Sequence, residues 1–145
     1  MNKISTMIAL AAKAHDGQYD LGGVPYIFHI MGVTEYAREM WGHEDEDILC
    51  IAAGHDLLED TDVTEEFILE QFGARVLAGI KALTKTKGQE YQDYQASVLS
   101  NRDAMKVKLC DLRHNMREDR VRVDEKTYPR MEKYKKFKAI IEAML

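Results

Sequence analysis

One residue pair constrains this chain more than any other: His55-Asp56, set in the otherwise apolar run ILCIAAGHDLL over residues 48–58. A segment so apolar belongs in a core, and a carboxylate taken out of water there is costly unless it is paired or ligates a cation. A lone histidine in such a run is ordinarily a satisfied core residue. Histidine beside aspartate is a different case. Neighbouring positions on a helix converge on one cation only where the helix is presented end-on or edge-on to a cavity. One turn further on come Glu59 and Asp60. His55 to Glu59 and Asp56 to Asp60 are both i,i+4 pairs, which stacks two acidic groups beside the suspected cation. There they can orient a water and exchange protons with it. The same Asp60-Thr61-Asp62 stretch is also good turn chemistry, so the pair can equally serve as the polar stop of a helix.

Two other segments have matching chemistry. His29 lies in PYIFHIMGV, between Ile27 and Ile30, and Asp111 interrupts the apolar run in VKLCDLRHNM, with Asn115 four residues later. Two imidazoles and two carboxylates make a mixed nitrogen–oxygen set suited to Mn, Fe or Zn rather than to Ca or Mg alone. Four protein ligands leave room for water only in an octahedral arrangement, which favours Mn or Fe.

Elsewhere the pattern is helical. Ile4, Met7, Ile8, Ala11 and Ala12 predict a first helix stopping near Gly17. The loop GQYDLGGVP is a connection, and a second helix follows Pro25 and ends at Gly42. The apolar run predicts a third helix from about Asp45 through Leu58, buried on most sides. Thr64 is positioned to cap a helix over Phe67, Ile68 and Phe72 that Gly73 ends. Further helices are expected over 74–83, 90–99, 102–116 and 126–145. The expectation is one all-α domain over 1–145, a compact helical bundle around a central metal site.

Composition narrows the function classes. A chain of 145 residues, 46% hydrophobic and 31% charged, is that of an ordinary globular domain. The net charge of -5 argues against a non-specific nucleic-acid binder. No stretch approaches the roughly 18 apolar residues that a membrane span needs. Cys50 and Cys110 lie far apart in apolar surroundings and read as buried reduced thiols, so a cytoplasmic protein is the default.

At this point the residues resemble a known family. The order His29…His55-Asp56…Asp111 is that of the HD metal-dependent phosphohydrolases. The flanking text is similar to the hydrolase domain of RelA/SpoT homologues, including their small single-domain members. The matching pieces are Ala14-His15-Asp16-Gly17-Gln18, Pro25-Tyr26-Ile27-Phe28-His29, residues 52–61 around the HD pair, Phe72-Gly73, Leu83-Thr84-Lys85, and residues 107–111 with His114-Asn115-Met116. The resemblance implies a manganese-like ion (Fe or Zn as alternatives) held by His29, His55, Asp56 and Asp111, with Glu59 and Asp60 activating the attacking water. It implies a phosphorylated small-molecule substrate, a nucleotide, with Asn115 matching a substrate-binding position. Tyr26 and Lys108 are further candidates for the substrate, and Lys85 or Lys87 for offsetting its charge. In the alarmone hydrolases the reaction removes the 3′-pyrophosphate of guanosine tetra- or pentaphosphate. Two departures fall on the substrate side. Asp20-Leu21 stands where alarmone hydrolases usually carry Arg-Lys, and Glu118 where a Thr is common. Another nucleotide or phosphate ester, or a module that binds a nucleotide without hydrolysing it, therefore stays open as an alternative.

Overall fold

The computed structural model of the chain describes residues 1–117 and 127–145, with the side chains of the second stretch from residue 129. Glu118 lies outside the described residues. Among those described, the chain is helical without a strand: α1 (Lys3–Ala14), α2 (Ile27–Trp41), α3 (Glu46–Gly54), α4 (Leu57–Asp60), α5 (Glu65–Phe72), α6 (Ala74–Ala82), α7 (Tyr91–Leu99), α8 (Arg102–Asn115) and α9 (Thr127–Met144).

The apolar third helix is the hub. Every residue from Ile48 to Gly54 is buried, and α1, α2, α6 and α8 pack around it. A helix that is apolar all round has no solvent face to offer, so it must be wrapped. The approach of α6 is close enough that a Cβ on Gly79 would stand 2.5 Å from Ile51 Cδ1. Phe137 and Ile141 of α9 are fully buried, so the basic C-terminal segment is a packing helix, with Lys133, Lys135 and Lys136 exposed.

Local chemistry fixes several helix starts. The side chains of Asn2, Thr64 and Asn101 accept from the backbone N–H of Ser5, Phe67 and Ala104, each closing an otherwise unsatisfied first turn. Arg75 donates to both Asp45 and Asp103 at 2.8–3.0 Å, joining the starts of α3, α6 and α8.

The expected third helix does not run unbroken to Leu58. It ends at Gly54, the HD pair occupies a turn with Asp56 at φ -104° and ψ 2°, and a short α4 resumes at Leu57. This break supplies the end-on presentation that two adjacent side chains need if both are to reach one point. The pair sits at the mouth of the most buried helix, where its side chains leave the helix surface together.

Candidate metal centre

Four elements deliver the polar cluster: α2 brings His29, the α3–α4 turn brings His55 and Asp56, α4 brings Glu59 and Asp60, and α8 brings Asp111. His29, His55 and Asp111 are buried, and their ligand-capable atoms all lie within 4.8 Å of one another; so do those of Asp56, Glu59 and Asp60. Asp56 joins the two groups. Its Oδ2 is 3.0 Å from His55 Nε2 and 3.9 Å from His29 Nε2, while Asp111 Oδ1 is 3.4 and 3.0 Å from the same two nitrogens.

The hydrogen bonding of His55 decides what the cluster can hold. A carbonyl only accepts, so the 2.7 Å contact between His55 Nδ1 and the Ala52 carbonyl requires the proton on Nδ1. The neutral ring then aims the Nε2 lone pair at two carboxylate oxygens. That nitrogen is buried and makes no hydrogen bond in the structure. Lone pair against carboxylate is repulsive unless a cation or a proton stands between them. Electrostatics says the same. Burial opposes charge on His55, but Asp56 and Asp111 outweigh it and raise its pKa well above the usual histidine range. Burial likewise opposes charge on Asp56, yet His55 and His29 bring its carboxyl down to about 2. Asp111 is held well below the ordinary range against burial, by Lys108 first and then by the two histidines. The pocket keeps two carboxylates ionised and wants positive charge between two imidazoles. The residues present fit a divalent ion with mixed nitrogen and oxygen ligands.

The partners of these carboxylates are specific. The Tyr26 hydroxyl donates to Asp56 Oδ2 at 2.5 Å. Lys108 Nζ donates to Asp111 Oδ2 at 2.9 Å and Asn115 Nδ2 to Asp111 Oδ1 at 3.2 Å. All three residues singled out for the substrate therefore lie beside the cluster, with a polar group turned onto one of its carboxylates. Lys108 also stands 5.1 Å above the ring of Tyr94. Lys85 meets the site through its backbone, whose N–H donates to Glu59 Oε1 at 2.8 Å. Its side chain and that of Lys87 are exposed.

Glu59 and Asp60 differ from the buried pair. Partial burial and the neighbouring Asp56 raise both carboxyls above the usual range, against the Lys85 N–H at Glu59 and the histidines at Asp60. The site thus carries two carboxyls locked in the charged state and two more easily protonated ones.

Two further buried histidines, His15 and His114, carry no role assigned from the sequence. His15 is buried, its Nδ1 lies 2.8 Å from Gln18 Oε1, and Gln18 Nε2 donates to the Asp60 carbonyl at 2.8 Å. His114 is buried against His29. Their only sequence signal was membership of the matching segments. The Asp20-Leu21 loop is a tight turn: Asp20 Oδ1 accepts from the backbone of Gly22 and Val24, and Leu21 is 80% exposed.

An all-helical bundle with a histidine–aspartate cluster at the end of its central helix is the architecture of the HD domain. The profile of that family, described as "HD domain", matches residues 8–128, and the chain belongs to it. Among its relatives is the guanosine-3′,5′-bis(diphosphate) 3′-pyrophosphohydrolase MESH1 of Danio rerio, 32% identical over 130 residues that cover 81% of this chain and 72% of that protein. The guanosine-3′,5′-bis(diphosphate) 3′-pyrophosphohydrolase of Haemophilus influenzae is 35% identical over 119 residues, 74% of this chain. The chain spans only 17% of the length of that bacterial relative. The solved structure of a metazoan orthologue of SpoT that hydrolyses ppGpp superposes with a TM-score of 0.78 at 26% identity, covering 99% of this chain and 85% of that one.

Proposed function

We propose that this protein is a metal-dependent phosphohydrolase that removes the 3′-diphosphate from guanosine tetra- or pentaphosphate. The observation that carries the reading is the His55 Nε2 lone pair, buried without a hydrogen bond and facing two ionised carboxylates beside a more basic acidic pair. The names of the relatives, above all the short zebrafish protein that this chain largely covers, supply the substrate class.

His29, His55, Asp56 and Asp111 are the residues that would hold the cation, with manganese the ion of choice and iron or zinc the alternatives. When bound, such an ion supplies Lewis acidity toward a phosphoryl oxygen and lowers the pKa of water. The chain's own residues do the rest. Glu59 and Asp60 hold the attacking water by its hydrogens and accept the proton it loses. The water oxygen bonds to the phosphorus on the ribose 3′ oxygen, that P–O bond breaks, and the 3′ oxygen takes up a proton. The products are pyrophosphate and, from the tetraphosphate, the nucleoside 5′-diphosphate or, from the pentaphosphate, the nucleoside 5′-triphosphate. Tyr26 and Lys108 keep Asp56 and Asp111 in place, and Asn115, at the rim of the same cluster, is the candidate to meet the nucleotide. Two buried thiols, both pushed up to about 12 by burial, are inert and suit a cytoplasmic protein.

A second reading has its own observation. Asp20 and the exposed Leu21 occupy the turn positions where the alarmone hydrolases usually carry Arg-Lys, and the loss of those cations favours another phosphate ester. Chromatography of ppGpp, common nucleotides and NADPH incubated with the manganese-loaded protein separates the readings. Release of pyrophosphate and GDP from ppGpp is expected. Turnover of a different ester alone moves the assignment to that ester, recovery of tightly bound intact ligand makes the protein a binder, and no turnover of any phosphate compound ends the hydrolase reading.

A further inference from the structure

His29 carries a hydrogen bond that the proposed chemistry does not use. Its Nδ1 lies 2.8 Å from Nδ1 of His114, with both rings buried and their centroids 5.0 Å apart. Two facing ring nitrogens at that distance share one proton, so one donates and the other accepts. The contact is built rather than incidental. Gly32 sits on α2 one turn beyond His29, and a Cβ there would stand 2.3 Å from His114 Nε2 and 2.4 Å from its Cδ2. Glycine inside a helix costs about 1 kcal/mol relative to alanine, so its position opposite this ring is the clearest reason for it. On the other side Tyr36 closes the seat, its ring edge-on to His114 at 6.0 Å. The two helices are therefore matched turn for turn: His29 faces Asp111, and Gly32 faces His114.

We propose that His114 is a positioning residue for the metal centre: by accepting from His29 Nδ1–H it fixes the tautomer and ring plane that turn the Nε2 lone pair of His29 toward the cation. The inference rests on the metal-centre reading above and deepens it. A ligating histidine that lacks a partner on its second nitrogen rotates and chooses its tautomer freely, and loss of such a partner typically costs 10–100-fold in metal affinity. Here the partner is a second imidazole rather than the usual carboxylate or carbonyl, which forces its own proton onto Nε2.

The test is zinc binding by calorimetry together with long-range 1H–15N NMR of the full chain. The zinc-loaded wild type is expected to show His29 protonated on Nδ1 and His114 on Nε2. His114→Ala is expected to bind zinc 10–100-fold more weakly, and His114→Gln, whose carbonyl can accept the same bond, to recover part of that loss. Gly32→Ala, which touches no ligand but displaces the His114 ring, is expected to weaken binding in the same direction. Thermal unfolding of each metal-free variant separates a folding defect from a binding defect. Should wild type bind neither zinc nor manganese, the metal-centre reading itself falls. If it binds but His114→Ala matches it within twofold, or the tautomers are reversed, the inference about His114 alone is overturned.

Discussion

Four carboxylates meet at this site in two opposite environments. Asp56 and Asp111 stand beside buried imidazoles and, at Asp111, an ammonium group, and these partners overcome burial and keep both ionised. Glu59 and Asp60, three and four residues after Asp56, have no such cation in contact, and burial together with the negative neighbour raises both. The residue types are the same and the ionisation is pushed apart, the pattern by which a site divides charge-holding from proton-handling. The lesson is that the HD pair alone does not set the chemistry. The proposed division of labour rests on the pair's neighbours one turn later, which lack the close imidazole and ammonium contacts of Asp56 and Asp111.

Breaking the charge-holding half should have the largest effect. His55→Ala or Asp56→Ala removes a ligand outright, and calorimetry with manganese is expected to show no tight site while turnover drops to that of the buffer control. A variant that kept both tight binding and turnover would remove its substituted residue from the proposed ligand set. Breaking the proton-handling half should be gentler and cleaner. Glu59→Gln is expected to bind the cation as wild type does and to lose about 10²–10⁴-fold in kcat. Full activity in that variant would take the role from Glu59.

Tyr26→Phe sharpens the boundary between the halves, since Tyr26 was a substrate candidate by sequence but donates to Asp56. If that bond is its main work, metal affinity falls by roughly 10–100-fold and KM at saturating metal stays put. A raised KM with unchanged affinity would return the residue to the substrate.

The proton-for-cation exchange has a pH signature. His55 has a raised pKa in the folded state, so the stability it contributes without metal is fully present below about 6.5, the ordinary histidine value, and is lost as pH rises through the folded value. Metal-free protein is therefore expected to melt at lower temperature as pH goes from 6 to 9, and metal-loaded protein to lose much less. Equal pH dependence with and without metal would contradict the idea that a cation stands where that proton does. The smallest effect is expected at the loop: Asp20→Arg with Leu21→Lys should lower KM for ppGpp by a few-fold, less at high salt. Unchanged KM would remove the loop from substrate recognition.

Much of this was legible in the sequence because burial and helix periodicity act locally. The apolar run from Ile48 announced the central helix, Thr64 announced a cap that the structure shows, and the order of histidines and aspartates announced the cluster. What stayed hidden depended on distances across the fold. The helix break at His55-Asp56 lies inside a run that reads as continuous helix, because both residues tolerate helical neighbours and nothing like proline marks the turn. The His29–His114 contact spans 85 residues, and Gly32 reads as an ordinary helix glycine until the ring opposite it is seen. Tyr26, Lys108 and Asn115 were singled out as substrate candidates, while the carboxylate that each one contacts is a matter of geometry alone.

Four side chains gathered from three parts of the chain are proposed to hold one divalent ion. Anomalous diffraction from crystals grown with manganese tests this most directly. One strong peak is predicted, within coordination distance of His29 Nε2, His55 Nε2 and a carboxylate oxygen each of Asp56 and Asp111. A map with no peak there, or with the ion bound at another place, would contradict the account.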